Sequence, residues 1–127
     1  MASLIENALT KISTTTVPFN ATGQTTLYTV PVGKLFIPVF AIARCGADAA
    51  DTDITLGRVG ALTDFLGTTQ LDNLDADGDQ VLLMPVPQDP ALKLKTYAAG
   101  VVVQVDVTVG NGGATNYIDL FGFLIDV

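Results

Sequence analysis

The stretch DNLDADGD, residues 72 to 79, sets Asp72, Asp75, Asp77 and Asp79 within eight positions. Three chemistries could use such a cluster: calcium binding, acid–base catalysis, or plain solvation of a turn. From Asn73 the pattern Asn73-x-Asp75-x-Asp77-Gly78 matches the first half of an EF-hand loop. The twelfth position of that loop should be a bidentate glutamate, and here it is Met84. The residues that follow, QVLLMPV, read as a strand where a helix should leave. The expectation is therefore a solvated acidic turn with no metal, which keeps one end of a sheet protein soluble.

Other chemistry is thinner still. The chain has no histidine, which removes Ser-His-Asp and Cys-His nucleophilic sites and nearly all zinc and redox-metal sites. Glu6 is the sole glutamate. No G-x-x-x-x-G-K-[ST] or G-x-G-x-x-G stretch precedes a helix, so a phosphate-cradling loop is not expected. A carboxylate pair could hydrolyse a glycoside, but aspartates fall in most loops and none stands out. Cys45 is the only cysteine, excluding a disulfide framework and a thiolate cage; it reads as a small buried apolar residue. The chain is expected to be neither an enzyme nor a cofactor carrier.

What remains is architecture. Residues 101–109, VVVQVDVTV, put Val101, Val103, Val105, Val107 and Val109 on one face and Val102, Gln104, Asp106 and Thr108 on the other. Period-two alternation in β-branched residues predicts a half-buried strand, ended by GNGG at 110–113, a hairpin turn. The last strand, YIDLFGFLIDV, runs to residue 127. Strands at 25–30 and 34–44 are joined at Pro31-Val32-Gly33, where proline second and glycine fourth fit a type I turn. Short strands are also predicted at 13–19, 53–59, 80–86 and 92–97. About eight strands punctuated by turns indicate an all-β protein, an antiparallel β-sandwich over residues 13–127.

Two strands depart from in-out alternation. In 35–43 both faces are apolar, Leu35, Ile37, Val39, Ala41 and Ala43 against Phe36, Pro38, Phe40 and Ile42. The final strand likewise sets Ile118, Leu120 and Leu124 against Phe121, Phe123 and Ile125. A β-bulge at Pro38 could switch the register and bury both sets; otherwise the second face meets another subunit. Before them, SLIENALTKI has Leu4, Ile5, Ala8, Leu9 and Ile12 at helical spacing, with Ser3 and Glu6 as a capping box. Residues 1–12 are thus expected as a short N-terminal arm, helical or laid out as an extended strand on a partner.

Composition bears on partners. Apolar residues are 49% before 12 glycines are counted, and charged residues only 15%, against about 25% in ordinary soluble domains. That surplus cannot all go inside so small a domain, and a protein partner is the simplest outlet. The longest apolar run, LFIPVFAIA, is too short for a spanning helix, which needs about 20 apolar residues. The opening MASLIENALTK lacks the marks of a signal peptide, so a chain made in the cytoplasm is expected. Net charge is −7, which leaves no basic footprint for nucleic acid.

The stretch TTLYTVPVGKLFIPVFAIARC, with its Thr-Val-Pro-x-Gly-Lys turn leading into an apolar strand, resembles small jelly-roll proteins of tailed bacteriophages. These are decoration (cement) proteins and related head or tail accessory proteins. VVVQVDVTV followed by YIDLFGFLIDV is similar to the closing hairpin of such domains. The resemblance covers about half the chain and brings no catalytic residue with it. It implies a jelly roll on the outer capsid surface of a virion, often as a homotrimer, that bridges subunits of the major capsid protein. The rival is a receptor- or sugar-binding module of a tail fibre or spike, disfavoured by the lack of tryptophan and the presence of only Tyr28, Tyr97 and Tyr117. Leu4, Ile5, Leu9 and Ile12 of the arm, and Phe36, Phe40, Phe121 and Phe123 of the two-faced strands, are the expected contact residues.

Overall fold

The alternation of the valine strand is met in three dimensions: Val103, Val105 and Val107 are buried while Gln104 and Asp106 lie on the opposite face. The computed structural model describes residues 8–127. Nine strands follow in chain order: β1 Thr10–Val17, β2 Gly23–Thr29, β3 Lys34–Cys45, β4 Thr52–Arg58, β5 Ala61–Gln70, β6 Gln80–Leu83, β7 Tyr97–Ala98, β8 Val102–Gly110 and β9 Asn116–Asp126. They form two antiparallel sheets. One has the order β1-β9-β3-β6, with β7 also on β3, and the other β2-β8-β4-β5. The chain is an all-β sandwich whose core lies between the inner faces, centred on Phe19, Phe36, Ile54, Leu56, Ile118 and Leu120.

Several local expectations change. Residues 10–12 belong to β1, so pairing with β9 overrides the helical spacing there, and Ile12 packs against the core. The sandwich therefore begins at residue 10 rather than 13; the rest of the expected arm, residues 1–7 with Leu4 and Ile5, lies outside the described residues. Pro31-Val32-Gly33 is not a hairpin turn, because β2 and β3 lie in different sheets. The Lys34 N–H donates to the Pro31 carbonyl (3.2 Å), and Gly33, third in the turn, has φ +78°; positive φ there defines type II. Residues 111–115 likewise cross from β8 in one sheet to β9 in the other, so GNGG closes an arch, not a hairpin. Strand β5 is additional, and of residues 92–97 only Tyr97 is in a strand.

The register shift between β3 and β9 falls between Pro38 and Phe40, where a bulge changes which alternate residues face inward. Before it Phe36 is in the core; after it Ala41, Ala43 and Cys45 are. Gly122 sits opposite Pro38, and the fit leaves no room for a side chain: a Cβ there would lie 2.3 Å from the Ile37 carbonyl oxygen and 2.5 Å from the Phe36 ring. The bulge does not bury both apolar sets in one core. It leaves Phe40 and Ile42 on the far side of the sheet.

Candidate assembly surface

Cross-strand partners share a face, so the register gives the outer surface of the β1-β9-β3-β6 sheet. Leu35 pairs with Ile125, Ile37 with Phe123, Phe40 with Phe121, and Ile42 with both Asp119 and Leu82. All of these except Asp119 are apolar. Phe40 and Phe121 stack with ring centroids 4.7 Å apart and planes at 18°. Ile37 and Ile125 are buried yet stand apart from the core cluster, and Leu82 is 60% exposed at the edge.

One end of this face is polar. Arg44 donates from Nε to Asp119 Oδ2 (2.7 Å) and from Nη2 to Oδ1 (3.2 Å), and Thr14 adds its hydroxyl at 2.7 Å. The guanidinium also lies 4.9 Å from the centroid of the Tyr117 ring, a cation–π contact. Burial would raise the Asp119 carboxyl, but the hydrogen bonds from Arg44 and Thr14 and the Arg44 charge outweigh it and hold it below the usual range.

The opposite sheet presents a different surface. Its outer face pairs Gln24 with Asp106 and Thr26 with Gln104. Their side chains hydrogen-bond to each other, Gln24 to Asp106 at 3.0 Å and Gln104 to Thr26 at 3.2 Å. These outer-face pairs are polar, although the Thr55 hydroxyl opposite Asp106 is buried without a partner among the described residues; the other outer face is aromatic and aliphatic.

The expected contact residues divide accordingly. Phe40, Phe121 and Phe123 come together on the apolar outer face. Leu9 is 46% exposed beside the start of β1. Phe36 is not a surface residue: it is fully buried, edge-on to Tyr28 at 5.4 Å, because it precedes the bulge and so faces the core. Ile12 is held by the core of its own chain. Sequence reasoning missed Leu35, Ile42 and Leu82 as companions of the three phenylalanines.

The acidic loop is tied to backbone. Asp72 accepts the Asp51 N–H (2.9 Å), and Asp79 accepts the Ala76 N–H (3.0 Å). Among the described residues no three acidic or cysteine side chains converge to hold a cation. Cys45 is buried beneath the loop, and burial, then the charges of Asp79, Asp48 and Asp77, push its thiol up.

A cavity of about 620 Å³ opens on the edge between the sheets, walled by Pro38, Val39, Phe65, Met84, Leu92 and Leu94. Asp64, which also lines it, receives the Tyr97 hydroxyl (3.0 Å) and ion pairs from Lys95 (3.1 Å) and Arg58 (3.6 Å). Burial would raise Asp64, but the Lys95 and Tyr97 hydrogen bonds and both cations bring it below its ordinary value. No family model, no curated protein and no solved structure matches the chain.

Proposed function

We propose that this chain is a structural virion protein, a capsid decoration protein that works by non-covalent contact alone. Copies join as a homotrimer through the outer face around Phe40, Phe121 and Phe123, and the trimer bridges neighbouring coat subunits. The contrast between the two outer faces carries this reading: stacked phenylalanines on one solvent face stabilise a lone sandwich by only about 1 kcal/mol, less than burying them against a partner would, while the other face is polar. The nesting of strands supports the jelly-roll part of it, since β1 lies beside β9 and β2 beside β8 in opposite sheets. Each added contact repeats over the lattice, so a modest free energy per copy raises the resistance of a whole shell.

Sedimentation equilibrium and light scattering test the contact. Burying a phenylalanine contributes about 1.5–3 kcal/mol, and a carboxylate placed in the dry contact adds to the loss. Phe40→Asp and Phe123→Asp should therefore each weaken association by about a hundredfold or more. The sandwich should stay folded, losing only about 1 kcal/mol with the Phe40–Phe121 stack. Capsids bearing the wild-type chain should survive higher temperature than bare capsids, with a copy number that follows the number of coat subunits. A wild-type chain that stays monomeric at high concentration and leaves capsids no more heat-resistant would overturn the reading.

A further inference from the structure

Along its free side β3 changes partner, from β7 at Leu35 and Phe36 to β6 at Ala41–Arg44. Ile37 to Phe40, which include the bulge, have no strand beside them there. Residues 84–96 span this gap as an irregular strap. Pro85, Pro87 and Pro90 have no N–H to give, and among the described residues the backbone of 85–96 makes no loop hydrogen bond. Nearly all of the strap is exposed, and Lys95 ties it to Asp64 of β5. The cavity of about 620 Å³ lies under it, within the roughly 300–1,000 Å³ typical of small-ligand sites.

Charge supplies the second half of the argument. The chain carries −7 with only six basic residues, yet three of the six, Arg58, Lys93 and Lys95, gather around this opening. They face one carboxylate, Asp64, which already has Arg58, Lys95 and the Tyr97 hydroxyl. Lys93 lines the cavity and forms no ion pair among the described residues. Lys95 spends one of its three ammonium donors on Asp64. Asp89, the strap's own acid, does not line the cavity. A largely apolar cavity whose lining carboxylate, Asp64, is already paired and whose lining lysines keep spare donors favours an anion over a cation, and its apolar walls do not suit a sugar or a nucleotide.

We infer that this cavity binds a small amphipathic anion, its apolar chain between the strap and the β3 edge and its carboxylate or sulfate head at Lys93 and Lys95. The site is separate from the outer face and does not depend on the assembly reading. Fluorescence titration of the full chain with 11-(dansylamino)undecanoate tests it, with decanoate and decyltrimethylammonium as competitors of equal chain length. Saturable one-to-one uptake is expected, with displacement by decanoate and little by the cation. Lys93→Gln should weaken decanoate by about tenfold, the loss of one charge-assisted hydrogen bond. Leu92→Asp and Leu94→Asp should abolish uptake without unfolding the chain, since both side chains are about half exposed, at 48% and 53%. Circular dichroism checks that fold, and Phe121→Asp, on the outer face, should bind like wild type. The inference is overturned if the wild type takes up no probe, if the cation competes as well as decanoate, or if uptake survives at Leu92 and Leu94 but is lost in Phe121→Asp.

Discussion

Asp119 has only 6% of its surface exposed and still bears a charge, which the Arg44 fork and the Thr14 hydroxyl make tolerable. Removing the guanidinium would leave that carboxylate desolvated and bonded only to Thr14. Arg44→Met should therefore cost about 1–2 kcal/mol at neutral pH, because the Arg44 side chain is itself 36% exposed and screened by water. The sign of the pH dependence follows from the lowered carboxyl. The pair's contribution is complete above the unfolded aspartate value of about 3.9 and is lost as pH falls through the lower folded value. Urea melts of wild type and Arg44→Met should thus differ at neutral pH and draw together as pH falls below the unfolded aspartate value and on through the lowered folded one. Replacing both partners, Arg44→Met with Asp119→Leu, should recover most of the loss, because it is the unpaired buried charge that costs stability. A difference that persists undiminished in acid would mean that Arg44 acts through packing on Tyr117 rather than through Asp119.

Between elements, one of the closest approaches is at the β3 bulge, where β9 has a glycine. Gly122→Ala drives a methyl into the Ile37 carbonyl, which is backbone and cannot swing aside, and should cost about 2–3 kcal/mol. Gly67 in β5 is the control: a Cβ there meets nothing within 4 Å, and alanine should be neutral or stabilising by up to about 1 kcal/mol. Urea midpoints with unchanged slopes report both. This bulge was legible in the sequence, because proline within an apolar strand and apolar residues at both parities mark a change of face. So were the valine strand and the two-faced β9. Strand β5 was not, since ALTDFLGTTQ alternates poorly and carries Asp64 and Gly67. LKLKTY misled in the opposite sense: it alternates well, but only its Tyr97 pairs, with Phe36 of β3, and the rest runs as part of the strap. The arch after β8 looked like a hairpin because turn residues report the local bend and not the sheet that receives the next strand. For the same reason Phe36 passed as a contact residue, its direction being set by a bulge two residues further on. The strap cavity had no local signal at all, being assembled from residues 38–39, 64–65, 84–85, 87–88 and 91–95.

At the scale of the molecule, two opposed forces should govern assembly. In the proposed assembly the outer face of Phe40, Phe121 and Phe123 would attract a second copy by burying apolar area, a force little weakened by salt. Each copy also brings a net charge of −7, so like copies repel over a range set by the Debye length, about 30 Å at 0.01 M salt and about 10 Å at 0.1 M. The polar end of the same face does not offset this, because Arg44 is already committed to Asp119. Self-association should therefore tighten as sodium chloride rises from about 0.01 M to about 0.1 M, most steeply at the low end where the screening length changes most. Sedimentation equilibrium across that range gives the dissociation constant directly, and Phe40→Asp should stay dissociated throughout. Association that weakens as salt is added would show that ion pairs between copies hold them together. That result would move the contact from the phenylalanine face to the charged surface and end the assembly model built on Phe40, Phe121 and Phe123.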